Sequence, residues 1–381
     1  MLWRLKSTLR RLRVASRPMR ERGLSRLAIA FRHVPAAFML RAWRVLAQRC
    51  NRALLHGAFN RPRFMAFQDR LPASTRPRLY VIVMPHTLHF LLPCLALLQD
   101  RAQLVLVGNG ERRWERRLLR ERFPALPLFE LRTLPLSSAA HGDVISLLLA
   151  QHRGNFGIVD HDCYVFDEAL FEQLHPAADE CLLAEFSEAS ETVDTLFPLT
   201  FFLYFNAEPL RQLMLRHGID ARLYREPPAQ VRDALASIGL GRGVFWKHYH
   251  DFHDTLHVLL GVALSEGSRV RFLSSGDDMR ALHVGGTSIG SHHTKPLPSL
   301  YIHRRFLEFL DDPLLNERYA FLTAPLRSAA EVLARCDPAD PVWETLPVVD
   351  TLMLRLAAAL PDPSRRSRGA LPAAAAATAR P

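Results

Sequence analysis

The feature that most constrains this chain is a set of short apolar runs that do not alternate with polar residues. Residues 79–84 (Leu-Tyr-Val-Ile-Val-Met) and 104–107 (Leu-Val-Leu-Val) have no polar face. A strand of that kind must be buried on both sides, which is the situation of a parallel sheet covered by helices. Residues 128–131 and 156–159 continue the series, and the segments between, 88–98, 111–123 and 140–151, read as helices. A β-α-β-α-β-α-β order predicts a doubly wound α/β fold: a Rossmann-like, mostly parallel sheet flanked by helices. In such a sheet ligands bind just beyond the carboxyl ends of the strands.

The run 156–159 ends in Asp160-His161-Asp162, followed by a second apolar run, 163–166. Two carboxylates spaced i, i+2 where a strand leaves the sheet can converge on one cation. Oxygen donors of this kind suit Mg²⁺ or Mn²⁺, which keep coordination positions for substrate phosphates. The same dipeptide spacing also occurs in ordinary solvated loops, and the strand context favours the metal reading.

Beyond this point the pattern predicts a helix over 171–186, an apolar segment over 196–205 and helices near 209–218 and 231–238. A strand is expected at 244–246, a helix at 254–264, strands at 270–273 and 282–284, and helices at 300–310 and 329–334. This divides the chain into an arm (1–70), a catalytic body (78–330), carboxyl-terminal helices (331–360) and a low-complexity, disordered tail (361–381).

Charge separates the arm from the body. Residues 1–70 carry 17 Lys and Arg against Glu21 and Asp69, a local balance of +15 where the whole chain has +11. The remainder is therefore mildly acidic. In the arm, Leu2, Leu5, Leu9 and Leu12 lie at near-helical spacing among Arg4, Lys6, Arg10, Arg11 and Arg13, and Phe38 and Trp43 belong to a second such stretch. Basic amphipathic helices of this type suit an anionic membrane surface. Packing of the same helices on the body is the competing reading. Nucleic acid is not expected as a partner, because no base-reading module is visible. No apolar run approaches the eighteen or so residues of a membrane span, and the amino terminus lacks a secretory h-region. The five cysteines include no CxxC pair, which favours reduced thiols in the cytoplasm. The expected location is cytoplasmic, peripheral at the inner face of the membrane.

Residues 78–290 resemble a GT-A-type nucleotide-sugar glycosyltransferase. The resemblance rests on 79–84 with 104–110, on Ala140-His141-Gly142-Asp143-Val144, on Ile158-Val159-Asp160-His161-Asp162, and on 254–267 with Leu282-His283-Val284-Gly285-Gly286. It implies a nucleotide-sugar donor, a divalent cation (Mn²⁺ or Mg²⁺) and a hydroxyl on a glycan or lipid-linked acceptor, with a cell-envelope glycan as one candidate. It places Asp160 and Asp162 on the metal or the donor ribose and His283 as a third ligand. Pro85, His86, Asn109 and His141 become donor contacts on the sheet rim, and Gly285 and Gly286 offer backbone N–H groups to phosphate.

An inverting transfer also needs a general base near the acceptor hydroxyl. Asp254 and Asp251 are the candidates, in the segment Lys247-His248-Tyr249-His250-Asp251-Phe252-His253-Asp254. Asp254 reads equally well as the N-cap of the helix that follows. Histidines 248, 250, 253 and 257 invite a zinc reading, but no zincin Glu follows His253. A phosphotransfer or phosphohydrolase enzyme built on the same aspartates, and a non-enzymatic membrane-recruited module, are the alternatives. Turnover that needs both a nucleotide sugar and an acceptor separates the transferase from both.

Overall fold

The computed structural model describes residues 43, 46–55, 59–135, 137–190, 192–247, 250–274, 280–285, 287, 296–323, 327–336, 342–362 and 366. They fall into two compact units. One comprises 51–283 with 359–381, the other 1–50 with 284–358.

The larger unit is built on a seven-stranded sheet. Its strands are β1 (Arg78–Val83), β2 (Gln103–Gly108), β3 (Leu128–Glu130), β4 (Phe156–Val159), β6 (Glu180–Ala184), β9 (Phe202–Phe205) and β10 (Arg269–Phe272), in the order β10-β6-β9-β4-β1-β2-β3. Only β9 runs against the others. The sheet is therefore mostly parallel, as the unalternated apolar runs require. Two small ribbons lie outside it: β5 (Cys163–Val165) with β11 (Ala281–His283), and β7 (Ser187–Ala189) with β8 (Leu196–Pro198).

The helices of this unit are α1 (Arg61–Gln68), α2 (Leu88–Leu98), α3 (Arg113–Arg122), α4 (His141–Gln151), α5 (Ala207–His217), α6 (Arg232–Ser237) and α7 (His257–Ser265). Every residue of α2 is buried, as expected for a helix apolar all round. Tyr80, Ile82, Val105, Val107, Phe156 and Ile158 share one core cluster with Val144, Ile145 and Leu148 of α4 and with Leu210 and Leu259. Their alternate spacing along each strand defines one face of the sheet. At Gly157, between β1 and β9, an added Cβ would lie 2.4 Å from Leu79 Cδ2 and 2.7 Å from the Leu203 carbonyl oxygen, so only glycine lets the neighbours approach this closely.

Several expectations are corrected. Residues 171–186 are not one helix: a four-residue turn of helix (Ala169–Glu172) precedes β6. The acids that suggested a helix surface pair across the β6–β10 edge, Glu180 with Arg271 at 3.0 Å and Asp179 with Arg269 at 2.5 Å. Residues 244–246 form no strand; Trp246 is buried and stacks on Phe197. The arm does not extend to residue 70. Asn51 and Asn60 are fully buried, and their amides bond the backbone at Leu134 and Ser138 and at Arg132. Leu55 and Phe64 belong to the core. Residues 1–42 of the arm lie outside the described residues, as does most of the tail. The body expected over 78–330 is also divided, at residue 283.

The smaller unit contains α8 (Pro296–Leu310), α9 (Pro313–Thr323), α10 (Ala329–Leu333) and most of α11 (Val342–Ala359). Ile302, Phe306, Leu315, Tyr319, Val332 and Leu352 are buried in it. Asp350 accepts hydrogen bonds from Tyr301 and Arg305, both at 3.1 Å. Among the described residues no helix is long and apolar enough to cross a membrane.

One stability prediction arises from the amino edge of the sheet. His152 is buried between Tyr80 and Phe156. Its Nδ1 lies 3.1 Å from the Gly154 carbonyl and its Nε2 3.4 Å from Arg78 Nη1. The neutral tautomer with a proton on Nδ1 satisfies both contacts; a second proton would face the arginine. Burial, first, and the nearby arginines push the imidazole down to about 4, against the pull of Gly154. The folded state thus binds less proton than the unfolded state below the ordinary histidine pKa. Its contribution is complete above about pH 6.5 and is lost as pH falls through about 4. The melting temperature should fall over that window, and His152→Gln should flatten the fall. An unchanged slope in the variant would assign the acid sensitivity to other groups.

Candidate active site

The site forms where β4 ends. Asp160 N–H donates to the Phe201 carbonyl at 2.9 Å, and Cys163 N–H donates back to the Asp160 carbonyl at 3.0 Å. This turn projects Asp160 and Asp162 at the carboxyl end of the sheet, and Asp162 is 4% exposed. The antiparallel β5–β11 ribbon then sets His283 opposite Cys163. Its ring stacks on Phe201 (centroids 3.4 Å, planes 12° apart) with Phe186 at its edge, and Nε2 stands 3.4 Å from Asp162 Oδ1. One ligating atom from each of Asp160, Asp162 and His283 falls within 4.8 Å of the others, the one such cluster among the described residues.

Two carboxylates and an imidazole form a donor set that fits Mn²⁺ or Mg²⁺. Burial, and then the charge of Asp162, push the Asp160 carboxyl well above its ordinary range. A cation held by these acids would offset their repulsion and favour the ionised forms, which would couple its binding to proton release.

His141 opens α4. The chain passes so close there that a Cβ on Gly142 would lie 2.6 Å from the Ala221 carbonyl oxygen. Ser146 joins the two segments, donating to the Gly142 carbonyl and accepting from Ala221 N–H. This fixes His141 Nε2 3.6 Å from Asp160 Oδ1, buried and without a hydrogen-bond partner. Burial and then His161 push the imidazole down to about 4, while Asp254 and Asp162 pull upward. At neutral pH it is an uncharged ring within electrostatic reach of both carboxylate groups.

The rim residues divide. Pro85 and His86 form the turn after β1, and His86 has a left-handed φ of 69°. Its N–H donates to the buried Glu115 carboxylate at 2.7 Å. A non-glycine residue held there is strained, a condition that persists only where surroundings over-determine it. Asn109 does not face outward as expected. It is fully buried, and its amide both donates to and accepts from the Ala139 backbone, at 3.0 and 2.7 Å. It positions the segment that enters α4 and His141. Gly285 is exposed in a turn of the smaller unit, and Gly286 lies outside the described residues.

Asp254 is not the helix cap. α7 starts at His257, and its N-cap is Leu256, with φ 71°. Instead Asp254 Oδ1 accepts from Thr255 N–H at 2.8 Å, and Oδ2 lies 3.3 Å from Lys247 Nζ. Its own N–H donates to His257 Nδ1. Burial works to raise the carboxyl, but the Thr255 N–H and the Lys247 charge outweigh it and hold Asp254 below the usual range. Asp251 is exposed. His257 packs on Phe197 and Trp246, and His248 lies outside the described residues. Sequence reasoning missed Lys247 as the partner of Asp254 and Phe201 as the platform for His283. The first signal was available in the composition of 247–254; the second depends on a strand pairing that no spacing reveals.

Residues 58–210 match the family model of the StrH glycosyltransferase N-terminal domain. The matched stretch includes Asn109, His141, Asp160 and Asp162. Residues 58–210 carry a glycosyltransferase domain. This agrees with the GT-A-type resemblance read over the same strands. The match spans about two fifths of the chain; His283 and Asp254 lie beyond it. No curated protein matches the chain. Among solved structures, the WbbM bifunctional glycosyltransferase in its apo form is similar at 11% identity and TM-score 0.30, over 53% of this chain and 39% of that one. The chain thus spans well under half of WbbM. TarS residues 1–349 from S. aureus, in complex with UDP-GlcNAc, is similar at 13% identity and TM-score 0.32, over 76% of this chain and 89% of that one. At such scores nothing about the glycosyltransferase domain rests on either likeness.

Proposed function

We propose that the chain transfers a sugar from a nucleotide-sugar donor to a hydroxyl acceptor, with Asp160, Asp162 and His283 holding Mn²⁺ or Mg²⁺. The observation that carries this is the three-ligand cluster at the carboxyl end of β4, contiguous with a stretch that matches a glycosyltransferase domain. When bound, the cation supplies Lewis-acid stabilisation of a departing diphosphate. The protein residues have separate tasks. Phe201 and Phe186 hold the His283 ring in its ligating orientation. His141, neutral and with a buried free Nε2, offers one hydrogen bond to the donor next to Asp160. Asp254 is ionised at neutral pH, as a base must be, and takes the acceptor proton after its carboxylate leaves Lys247; Asp251 is the exposed alternative. His86 and Pro85 shape the donor rim.

A panel of nucleotide sugars supplies the donors to try, and a lipid-linked or cell-envelope glycan is the first acceptor class. Nucleoside diphosphate release should require donor, divalent cation and acceptor together. Release that is equally fast without any acceptor would favour a hydrolase on the same aspartates.

The basic arm is assigned to an anionic membrane surface at the inner face, in the cytoplasm. Because Asn51, Leu55, Asn60 and Phe64 build into the body, the informative deletion removes only residues 1–42. It should leave donor binding intact and weaken sedimentation with phosphatidylserine vesicles at least tenfold at low salt, since each basic residue near such a surface contributes about 1 kcal/mol. Equal vesicle binding by both forms would remove the membrane assignment.

A further inference from the structure

A cavity of about 400 Å³ has His253, the residue before Asp254, in its wall. Arg225, Arg232 and Arg242 line it, with Glu226 as the sole acid among its lining residues. None of the three arginines ion-pairs with a carboxylate among the described residues; Arg232 Nε donates to the Pro227 carbonyl at 3.2 Å. The floor is specific. His253 is 2% exposed, its Nδ1 has no hydrogen-bond partner, and Phe245 packs edge-on to its ring at 4.9 Å. Reciprocal backbone hydrogen bonds to Tyr224, of 2.9 and 2.7 Å, pin it in place. Three guanidinium groups without acidic partners leave a net charge of +2 after Glu226, more than a single carboxylate ligand would use. Guanidinium forks match phosphate geometry.

We infer that this cavity is a phosphate-binding site, and that it holds a phosphate monoester or diester carried by the acceptor. The assignment to the acceptor rests on the glycosyltransferase reading; the phosphate site itself does not. His253 and Asp254 are consecutive. A phosphate anchored at the arginines would hold the acceptor chain beside the segment that presents Asp254, and the cation cluster lies on other elements, β4, β5 and β11.

The test uses the full chain without divalent cation, so that the acidic cluster contributes nothing. Inorganic phosphate, glycerol 3-phosphate and glycerol are titrated by calorimetry. Both phosphates should bind, glycerol 3-phosphate at least as tightly, and glycerol not at all. Arg242→Gln, at an exposed position, should weaken both about tenfold, the scale of one charge-assisted hydrogen bond. Glu226→Gln should tighten both severalfold, a gain that loss of folding would not produce. Asp162→Asn should leave phosphate binding unchanged. Phosphate binding that is absent, or insensitive to both Arg242→Gln and Glu226→Gln, overturns the site. Preference for inorganic phosphate over glycerol 3-phosphate overturns the acceptor assignment. The outcomes separate from the parent reading: a chain that binds these phosphates at the arginines but no nucleotide sugar keeps the site and loses the glycosyltransferase function.

Discussion

Asp162→Asn should abolish the Mn²⁺-dependent part of nucleotide-sugar binding and leave the metal-free melting temperature near that of the wild type. The amide conserves the size of a side chain that is almost wholly buried and stands 3.4 Å from His283 Nε2. It removes one of the two charges on which the cluster depends. Removing one preorganised electrostatic partner costs on the order of 2–4 kcal/mol of transition-state stabilisation, roughly a thirty- to thousand-fold loss in rate. An ordinary loop aspartate changed to Asn would alter stability and turnover very little. The two outcomes are separated by measuring turnover and melting temperature on one preparation, with and without Mn²⁺.

Asp254→Asn is expected to be as damaging to turnover and more costly to stability. Loss of a positioned general base lowers the rate by about a hundred- to ten-thousand-fold, while donor affinity should hold because Asp254 is not among the cation ligands. The amide oxygen still accepts from Thr255 N–H, but Lys247, only 16% exposed at its side chain, loses its carboxylate. A partly buried charge left without its partner costs about 1–3 kcal/mol, so the melting temperature should drop. Lys247→Met provides the complementary reading. Removing the cation raises the Asp254 pKa, because burial then acts with less opposition, while the Thr255 N–H still pulls downward. The acidic limb of the pH–rate profile should therefore move to higher pH. Near-normal turnover in Asp254→Asn would place the base elsewhere, with the exposed Asp251 as the next candidate.

The first half of the fold was legible because local chemistry and global burial agree there. Strands apolar on both faces, helices between them and an acidic pair at a strand end all read directly from 79–162. The second half resisted for identifiable reasons. Asp179 and Glu180 look like helix-surface acids because their arginine partners lie some ninety residues away, on β10. Residues 244–246 have strand-like side chains, yet Trp246 is needed as a core plug against Phe197 and His257. Asp254 has the composition of an N-cap, but the backbone turns once more at Leu256, so that its carboxylate is free to meet Lys247. Within the site, the family resemblance pointed to Asp160, Asp162 and His283, and the structure brings one ligating atom of each within 4.8 Å of the others. Asn109 was placed on the rim although it is buried, because its role, bridging β2 to the entrance of α4, depends on Ala139, thirty residues on.

The central claim is that the cluster of Asp160, Asp162 and His283 binds a divalent cation together with a nucleotide sugar. Its most direct measurement is the melting temperature of the full chain against a panel of nucleotide sugars, with and without Mn²⁺, in wild type and Asp162→Asn. Ligand that binds only the native state raises the melting temperature by mass action. The account predicts that at least one nucleotide sugar raises it substantially more with Mn²⁺ than without in the wild type, and that this difference vanishes in Asp162→Asn. The same Mn²⁺-dependent shift in both proteins would contradict it.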